Sequence, residues 1–502
     1  MSEEAVEVAL ADEAATAWLG EDLALALKPG DLVRLEGDLG AGKTTLARAV
    51  IRAMAGEPDL GVPSPTFTLV QSYDLRLSIH HLDLYRLGSP DELDELGLDE
   101  LVSDGVALVE WPQRGGDRLP PAAVTIRLEH EGAGRRAFVS GSAPALSRLR
   151  RSLLIRDFLK RSGVGHTHRQ FLLGDASTRA YEIVSGSDGG LRILMNAPRQ
   201  PDGPPIRDGK PYSQIAHLAE NVLPFVAVGE ALRREGFHAP AIEAADLDQG
   251  LLLIEHLGSG SFLGEDGEPV EARYEEAARL LARLHQRRWP SLLPSGYGPD
   301  HQVPDYDRGA MMIEVELLLE WYLPFIAGRA AGPETRAAFV SAWNAVLDRL
   351  VGAETSLVLR DYHSPNLIWR PDRPGFDRIG LIDFQDAMIG PGAYDVASLA
   401  MDARVTIPEP LERATVEAYA AARHDPSFNR EMFDMAYAIM AAQRNSKILG
   451  IFVRLDRRDG KPQYLKHLPR IRAYLGRALR HPALAPVASL YRTLGVVEEA
   501  EA

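Results

Sequence analysis

The chain contains no cysteine, which excludes disulfides, cysteine-ligated zinc, iron–sulfur clusters and a thiolate nucleophile, and is compatible with a reducing cytoplasm. It also lacks any uninterrupted apolar run near the ~20 residues that a bilayer span requires, so no membrane association is expected. The stretch MSEEAVEVALADEAA has neither the basic start nor the apolar core of an export signal, and the expected location is the cytoplasm. There is no repeat of fixed period and no low-complexity tract. What remains is ordinary globular material. The 502 residues are 45% hydrophobic, 25% charged and 7% aromatic, enough for roughly two to four folding units.

Charge is unevenly spread. Of the formal −16, residues 1–140 hold 25 Asp and Glu against 12 Lys and Arg, a net of −13, and the rest holds 46 against 43. Phosphate contacts need Lys and Arg to release counterions, so the acidic first segment is a poor direct nucleic-acid binder. Any RNA connection would run through a partner.

The first segment alternates strand-like and helix-like text: DLVRLEG, TTLARAVIRAM, TFTLVQSYDL, SIHHLDL, GVALVEW, AVTIRLEH and RRAFVSG. Such alternation predicts an α/β domain with a largely parallel sheet. Small, turn-rich text near 141–147 precedes the basic helical pattern LRRSLLIRDFLKRSG, which places a boundary between domains 1–142 and 143–502. The second segment opens with the β-rich runs FLLGDASTRAYEIV and LRILMNAP. A Pro- and Gly-rich loop at about 199–211, a helix at about 213–235, the strand pair AIEAADL and GLLLIEHLG, and mostly helices follow. A small lobe at about 165–257 before a helical lobe at about 258–502 is the order of a two-lobed, α+β, protein-kinase-like phosphotransferase.

Gly37, Asp38, Leu39, Gly40, Ala41, Gly42, Lys43 and Thr44 match G-x-x-x-x-G-K-[Ser/Thr], with Thr45 next, between the apolar run LVRLE and a helical stretch. A phosphate cradle needs that context, because the strand aims a loop whose N–H groups converge at a helix N-terminus. In a P-loop NTPase the glycines let backbone approach phosphates, Lys43 would reach the β/γ oxygens, and Thr44 would bind Mg²⁺. The blander alternative is a Gly-rich turn with an exposed lysine. Asp83 and Glu110 end the runs IHHLDLYR and GVALVEWP. Carboxylates there share the sheet edge with the loop, where they could bind Mg²⁺ or orient the attacking water.

The ordered set GDLGAGKTT, VPSPTFTLVQSY, HHLDLYRL, DELDELGLDE and LVEWP resembles the bacterial TsaE family, the small ATPase of the system that makes N6-threonylcarbamoyladenosine at position 37 of tRNA. The resemblance implies ATP hydrolysis while bound to threonylcarbamoyl-transfer proteins of the TsaB/TsaD type, without direct nucleic-acid binding. It also implies magnesium and hydrolysis roles for Asp83 and Glu110, and a mobile switch at Ser64, Pro65, Thr66 and Phe67.

A second constellation lies in LVLRDYHSPNLIWR and IGLIDFQDA, where Asp361 and Asn366 are five apart and Asp383 follows 17 residues later. That is the spacing of a phosphotransferase loop in which an Asp accepts the substrate hydroxyl proton while the Asn and a later Asp hold Mg²⁺. The alternative is three polar residues capping helices. The run QDAMIGPGAYDVASLAMD resembles the aminoglycoside phosphotransferase and choline kinase superfamily, and there Asp395 is expected to fix the catalytic loop or cap the next helix. Together GDASTRAYEIV, ILMNAP, LLLIEHLG, LRDYHSPNL and IDFQDAMIGPGAYD look like the AmgK family, which phosphorylates the anomeric hydroxyl of N-acetylmuramate and N-acetylglucosamine in cell-wall recycling. One departure stands out: Met195 occupies the slot of the phosphate-holding lysine. Arg192 would face away from it, and Arg179, in the polar loop GDASTRAY where a Gly-rich phosphate cover would lie, is the candidate replacement, the alternative being a solvated turn arginine. Glu255 to Leu257 could form an interlobe hinge, with Glu255 and Leu257 offering backbone to adenine.

The sequence thus reads as an ATP- and Mg²⁺-dependent bifunctional enzyme. The alternative is a nucleotide-dependent assembly switch fused to a kinase for another small alcohol, of aminoglycoside or choline type, or to a pseudokinase.

Overall fold

The computed structural model describes residues 5–165, 167–172, 179–186 and 188–498. The loop residues 173–178, expected to cover the second nucleotide, lie outside the described residues. The chain divides into two compact units, Met1–Asn196 and Ala197–Ala502. The division falls between two groups of strands of the expected small lobe.

The first unit runs β1 (Val6–Leu10), α1 (Glu13–Ala26), β2 (Leu32–Glu36), α2 (Lys43–Ala55), β3 (Val70–Asp74), β4 (Ser78–Asp83), α3 (Glu92–Glu95), α4 (Leu98–Asp104) and β5 (Gly105–Glu110). It continues through β6 (Val124–Glu131), β7 (Gly134–Gly141), α5 (Ala143–Arg161), β8 (His168–Leu172), β9 (Ala180–Ser185) and β10 (Leu191–Asn196). Seven strands form a sheet in the order β1-β7-β6-β2-β5-β4-β3. Its centre is parallel, β6 beside β2, β2 beside β5 and β5 beside β4. Its flanks are antiparallel, so the sheet is mixed rather than largely parallel. The reason is connection length: two residues join β6 to β7, enough for a hairpin and too few for a crossover.

Period-2 alternation divides the strands between two cores. Val33, Leu35, Val106, Leu108 and Ile126 pack with Leu23, Leu46, Val50, Leu146 and Leu149 of the helices on one face. Leu32, Leu82, Ala107 and Val109 pack with Leu93, Leu98 and Leu119 on the other. β5 is buried along its whole length, which is why GVALVE reads as a continuous apolar run.

Helix α5, placed by the sequence at the head of the second domain, belongs to the first unit and puts Leu146 and Leu149 into the sheet core. A buried ion network ties α1, α5, β8 and β9 together. Arg169 Nη1 donates to Asp22 at 2.5 Å, its Nε to Glu182 at 2.7 Å, and Arg156 reaches Asp22 and Glu21 at 2.7 Å each. β8, β9 and β10 form an antiparallel meander.

In the second unit, strands Ile242–Asp246 and Leu251–Glu255 form a hairpin. The loop expected at 199–211 contains a short hairpin of its own, Pro205–Arg207 with Lys210–Pro211. It turns through Asp208 and Gly209, both at positive φ, the Asp-Gly signal of a type I′ turn. The expected helix at 213–235 is broken into Tyr212–Ile215 and Leu223–Arg234. His217 takes a φ of 52° between them, and Pro224 sits in the first turn of the second piece, where its missing N–H costs nothing. Strands Thr355–Val358 and Met388–Pro391 pair antiparallel, as do Leu367–Trp369 and Ile379–Leu381. Behind them runs the 28-residue helix Arg430–Arg457, with Gln443 to Lys447 all buried. Among the described residues no helix is long and apolar enough to cross a membrane.

Candidate active sites

In the first unit the parallel strands β2, β4 and β5 end together and deliver three motifs to one edge. Gly37, Gly40 and Gly42 all have positive φ. At Gly37 a Cβ would lie 2.5 Å from the carbonyl oxygen of Leu128, so the turn out of β2 requires glycine. Lys43 Nζ donates to the carbonyls of Gly37 at 2.8 Å and Asp38 at 2.9 Å, and sits 3.7 Å from the centre of the Trp111 ring. Burial pushes its pKa down, against the pull of Glu110, Asp83 and Asp38. Thr44 Oγ1 donates to Glu110 Oε2 at 2.8 Å, and His81 Nε2 contacts Glu110 Oε1 at 2.9 Å. Asp83, in register with Glu110 on the neighbouring strand, accepts from Thr66 at 2.6 Å, Ser64 at 3.3 Å and the Tyr85 N–H at 3.0 Å. Leu39 is 79% and Phe67 82% exposed, whereas Ala41 is buried and Thr45 half-buried.

In the second unit Asp361 follows the strand Thr355–Val358, whereas Asn366 and Asp383 flank the pair Leu367–Trp369 and Ile379–Leu381. Asn366 Nδ2 donates to the Asp361 carbonyl at 2.9 Å and to Asp383 Oδ2 at 3.3 Å. Gln385 donates to Asp383 Oδ1 at 2.8 Å. Arg360 and Asp383 both adopt positive φ, a conformation that bulky residues keep only where the surroundings enforce it. Asp395, fully buried, does so for the first: its carboxylate accepts the N–H of Leu359 at 2.6 Å and of Arg360 at 2.8 Å. Asp395 therefore fixes the backbone at Leu359 and Arg360, directly before Asp361. Asp402 performs a parallel task, accepting the Ser364 N–H and hydroxyl.

Beneath the loop lies a cluster that motif reading missed. Glu314, fully buried, accepts from Arg360, from Lys447 at 2.9 Å, from Gln443 at 2.9 Å and from Tyr306. Burial pushes its pKa up, but Arg360 and Lys447 hold it down at about 2. Burial likewise works against Asp361, yet Lys447, His363, Arg360 and Arg444 keep it below its ordinary value and so ionised. His363 Nε2 lies 3.5 Å from Asn366 Nδ2 and was not singled out either. His81, also missed, had a signal: it stands two residues before Asp83 and so shares its strand face.

The remaining expectations are less drawn together. Met195 is buried in β10, opposite Tyr181, and Arg192 pairs with Asp188 at 3.0 Å. Arg179 lies half-buried just before β9, while the rest of its loop lies outside the described residues. Glu255 ends its strand with its carboxylate on the Ala241 N–H at 3.2 Å, and Leu257 is buried against Gly380.

Both sites offer the hard oxygen donors that suit Mg²⁺, a cation held by one or two carboxylates plus substrate phosphates rather than by an all-protein cage. Asp383 and the side-chain oxygen of Asn366 fit this in the second unit, and the Thr44 hydroxyl with Asp83 and Glu110 in the first. Among the described residues no cluster of three or more His, Asp or Glu side chains forms a cage.

Two family models match the chain. Residues 10–138 match "Threonylcarbamoyl adenosine biosynthesis protein TsaE", and residues 168–432 match "Phosphotransferase enzyme family". An N-acetylmuramate/N-acetylglucosamine kinase of Caulobacter vibrioides is 35% identical over 338 residues, 65% of this chain and 92% of that protein. The enzyme of the same name from Pseudomonas aeruginosa is 34% identical over 64% of this chain and 86% of its own length. A TsaE protein of Rickettsia felis is 43% identical over 121 residues, 24% of this chain and 70% of that protein. The chain therefore belongs to the TsaE family through its first part and to the phosphotransferase enzyme family, alongside the N-acetylmuramate/N-acetylglucosamine kinases, through its second.

Proposed function

We propose that this is a bifunctional cytoplasmic enzyme: an ATPase supporting tRNA threonylcarbamoyladenosine formation, joined to an ATP-dependent anomeric kinase of N-acetylmuramate and N-acetylglucosamine. The functional domains are 1–142 and 143–502. What carries the kinase reading is the convergence of Asp361, Asn366 and Asp383 on a loop pinned by Asp395.

Asp361 is the general base. As the anomeric oxygen forms its bond to the γ-phosphorus of ATP, the Pγ–O bond to the β-phosphate breaks, ADP leaves, and the hydroxyl proton passes to the Asp361 carboxylate. Asn366 and Asp383 would hold Mg²⁺, which would supply charge to offset that of the phosphates. Arg179 is the candidate for the phosphate contact that Met195 cannot make, and Glu255 and Leu257 offer backbone to adenine. In the first part, Gly37 to Thr45 cradle the nucleotide, and Thr44, Asp83 and Glu110 serve metal and water. Its partners are proteins of the TsaB/TsaD type. The hold of the Gly37 and Asp38 carbonyls on Lys43 favours a second reading of this part as an assembly switch, because a phosphate must displace both before the lysine can engage it.

The test is phosphorylation of N-acetylmuramate and N-acetylglucosamine by the whole chain, with loss of the product's reducing end as the readout. Asp361→Asn is expected to keep Mg·ATP affinity and to lose roughly 10²- to 10⁴-fold in turnover. Near-normal turnover would remove the base, and a product with a free reducing end would remove the anomeric acceptor. Transfer to choline or an aminoglycoside alone would replace the sugar reading.

A further inference from the structure

Between α1 and α2 on one side and β8–β10 on the other, all within the first unit, lies a cavity of about 610 Å³. Of its lining residues only Thr45 also belongs to a candidate active site. One wall is a single face of α2, where Thr45, Arg48 and Arg52 follow at spacings of three and four residues. Thr45 is the neighbour of Thr44, whose hydroxyl turns the other way, to Glu110. The wall ends at Gly56, whose φ of 69° closes α2 and which lies beside the Gln170 side chain of β8.

The two arginines are held and yet not satisfied. Arg48 Nε donates to the Val62 carbonyl at 2.8 Å, and Arg52 Nε to the Leu60 carbonyl at 3.0 Å. Each bond fixes a guanidinium plane, and among the described residues the terminal nitrogens of both have no hydrogen-bond partner. Of the two carboxylates in the lining, Glu21 is already engaged. Glu21 takes Arg156 at 2.7 Å, the Arg169 N–H at 2.9 Å and His168 at 3.2 Å. The bond to Glu21 raises the His168 pKa against the effect of burial and so favours its cationic form. Glu13, exposed at the rim, is the one lining carboxylate without such engagement. The free hydrogen-bonding capacity of the cavity is thus mostly cationic and donor-type, while Ile183, Leu191, Val62 and Ala53 supply apolar surface.

Two fixed guanidinium forks one helical turn apart match the oxygens of a phosphate, which Arg binds in bidentate fashion. The volume lies within the range that holds a small metabolite. We propose that this cavity is a binding site for a small phosphate-bearing metabolite, gripped at its phosphate by Arg48 and Arg52 with its organic part against β9 and β10. The site exists only because the ATPase helices and the first strands after α5 share one unit. It does not depend on which sugar the kinase accepts.

The test uses the full chain and phenylglyoxal labelling of arginines, read residue by residue by mass spectrometry. The probes are inorganic phosphate, AMP and N-acetylglucosamine 1-phosphate, with N-acetylglucosamine and sodium chloride at matched ionic strength as controls. Labelling of Arg48 and Arg52 is expected to slow at least about tenfold at saturation with a phosphate probe and not with the controls. Equal protection by all three probes assigns inorganic phosphate as sufficient, and stronger protection by one organic probe assigns its class. Unchanged labelling with every probe at up to about 10 mM, far weaker than a metabolite site needs, would overturn the proposal. So would protection that chloride reproduces. As a second arm, hydrogen exchange at residues 168–172 should be slowed by the effective probe in the wild type and not in Arg48→Gln/Arg52→Gln. Equal slowing in a folded double variant would also sink the site.

Discussion

Asp395 holds the backbone that leads into Asp361, the proposed base. Its two oxygens receive the adjacent N–H groups of Leu359 and Arg360 in a fully buried position, so Asp395→Ala strands both donors at about 1–3 kcal/mol each. The expected outcome is a lower denaturation midpoint together with a drop in sugar-kinase turnover. Near-wild-type values for both would refute the positioning role. His467 offers a pH test. Arg470 donates to its Nδ1, which requires a neutral ring, and burial, then Arg470, Lys466 and Arg404, push its pKa from 6.5 down to about 4. The unfolded chain binds the extra proton between those values, so this contribution is full above pH 6.5 and lost as the pH falls towards 4. Melting curves should show the wild type losing more stability over that interval than His467→Gln, whose amide does not titrate. Superimposable acid limbs would count against the assignment.

The candidates Lys43, Asp361, Asn366 and Asp383 were legible because they lie within short motifs, and the structure sets Asn366 on Asp383 and the Asp361 carbonyl, with Asp395 on the N–H groups just before Asp361. Glu314 and Lys447 were not legible, because they stand 133 residues apart and nothing in either local pattern names the other. Only the acids set in the apolar run MMIEVELLL, Glu314 and Glu316, hinted that a buried counter-charge must exist.

At the scale of elements, six of the seven strands of the first sheet could be read from their sequence runs, β1 (Val6–Leu10) being the exception, but the direction of pairing depended on connection length. The placement of α5 was hidden by its own composition. LRRSLLIRDFLKRS looks like a basic solvated helix, whereas Leu146 and Leu149 sit in the sheet core and Arg156 closes on Glu21 and Asp22. The consequence can be measured with Arg169→Met, which removes a side chain bonded to both Asp22 and Glu182. Breaking a buried pair costs about 3–5 kcal/mol when the partner stays charged. Burial already raises the Asp22 pKa despite Arg156 and Arg169, so protonation of Asp22 should keep the loss near the lower end. Equilibrium urea unfolding reads it, and a change under about 0.5 kcal/mol would mean the network is not formed in solution.

For the whole molecule, the sharpest question is whether the two chemistries depend on each other. In the proposed function Lys43 contacts phosphate in the first site alone, so Lys43→Ala is expected to abolish support of tRNA modification and to leave sugar phosphorylation within about twofold. Parallel loss of both, measured on the same preparation, would show coupled sites. The acidic first segment, with its net −13, should likewise make association with the threonylcarbamoyl-transfer proteins weaken at high salt if their facing surface is basic.

The contact of Arg169 with Asp22 joins residues 147 apart in the chain, and that separation bears on synthesis. At about 5–20 residues per second, a ribosome needs roughly 7–30 s to reach the second partner after making the first. For that interval Glu21 and Asp22 must stay hydrated and the α1 face uncovered, even though the nucleotide loop has long been translated. The nascent ATPase cannot reach its final packing until translation has entered the kinase, so the order of the two genes' worth of sequence in one chain makes completion of the first fold wait on the start of the second.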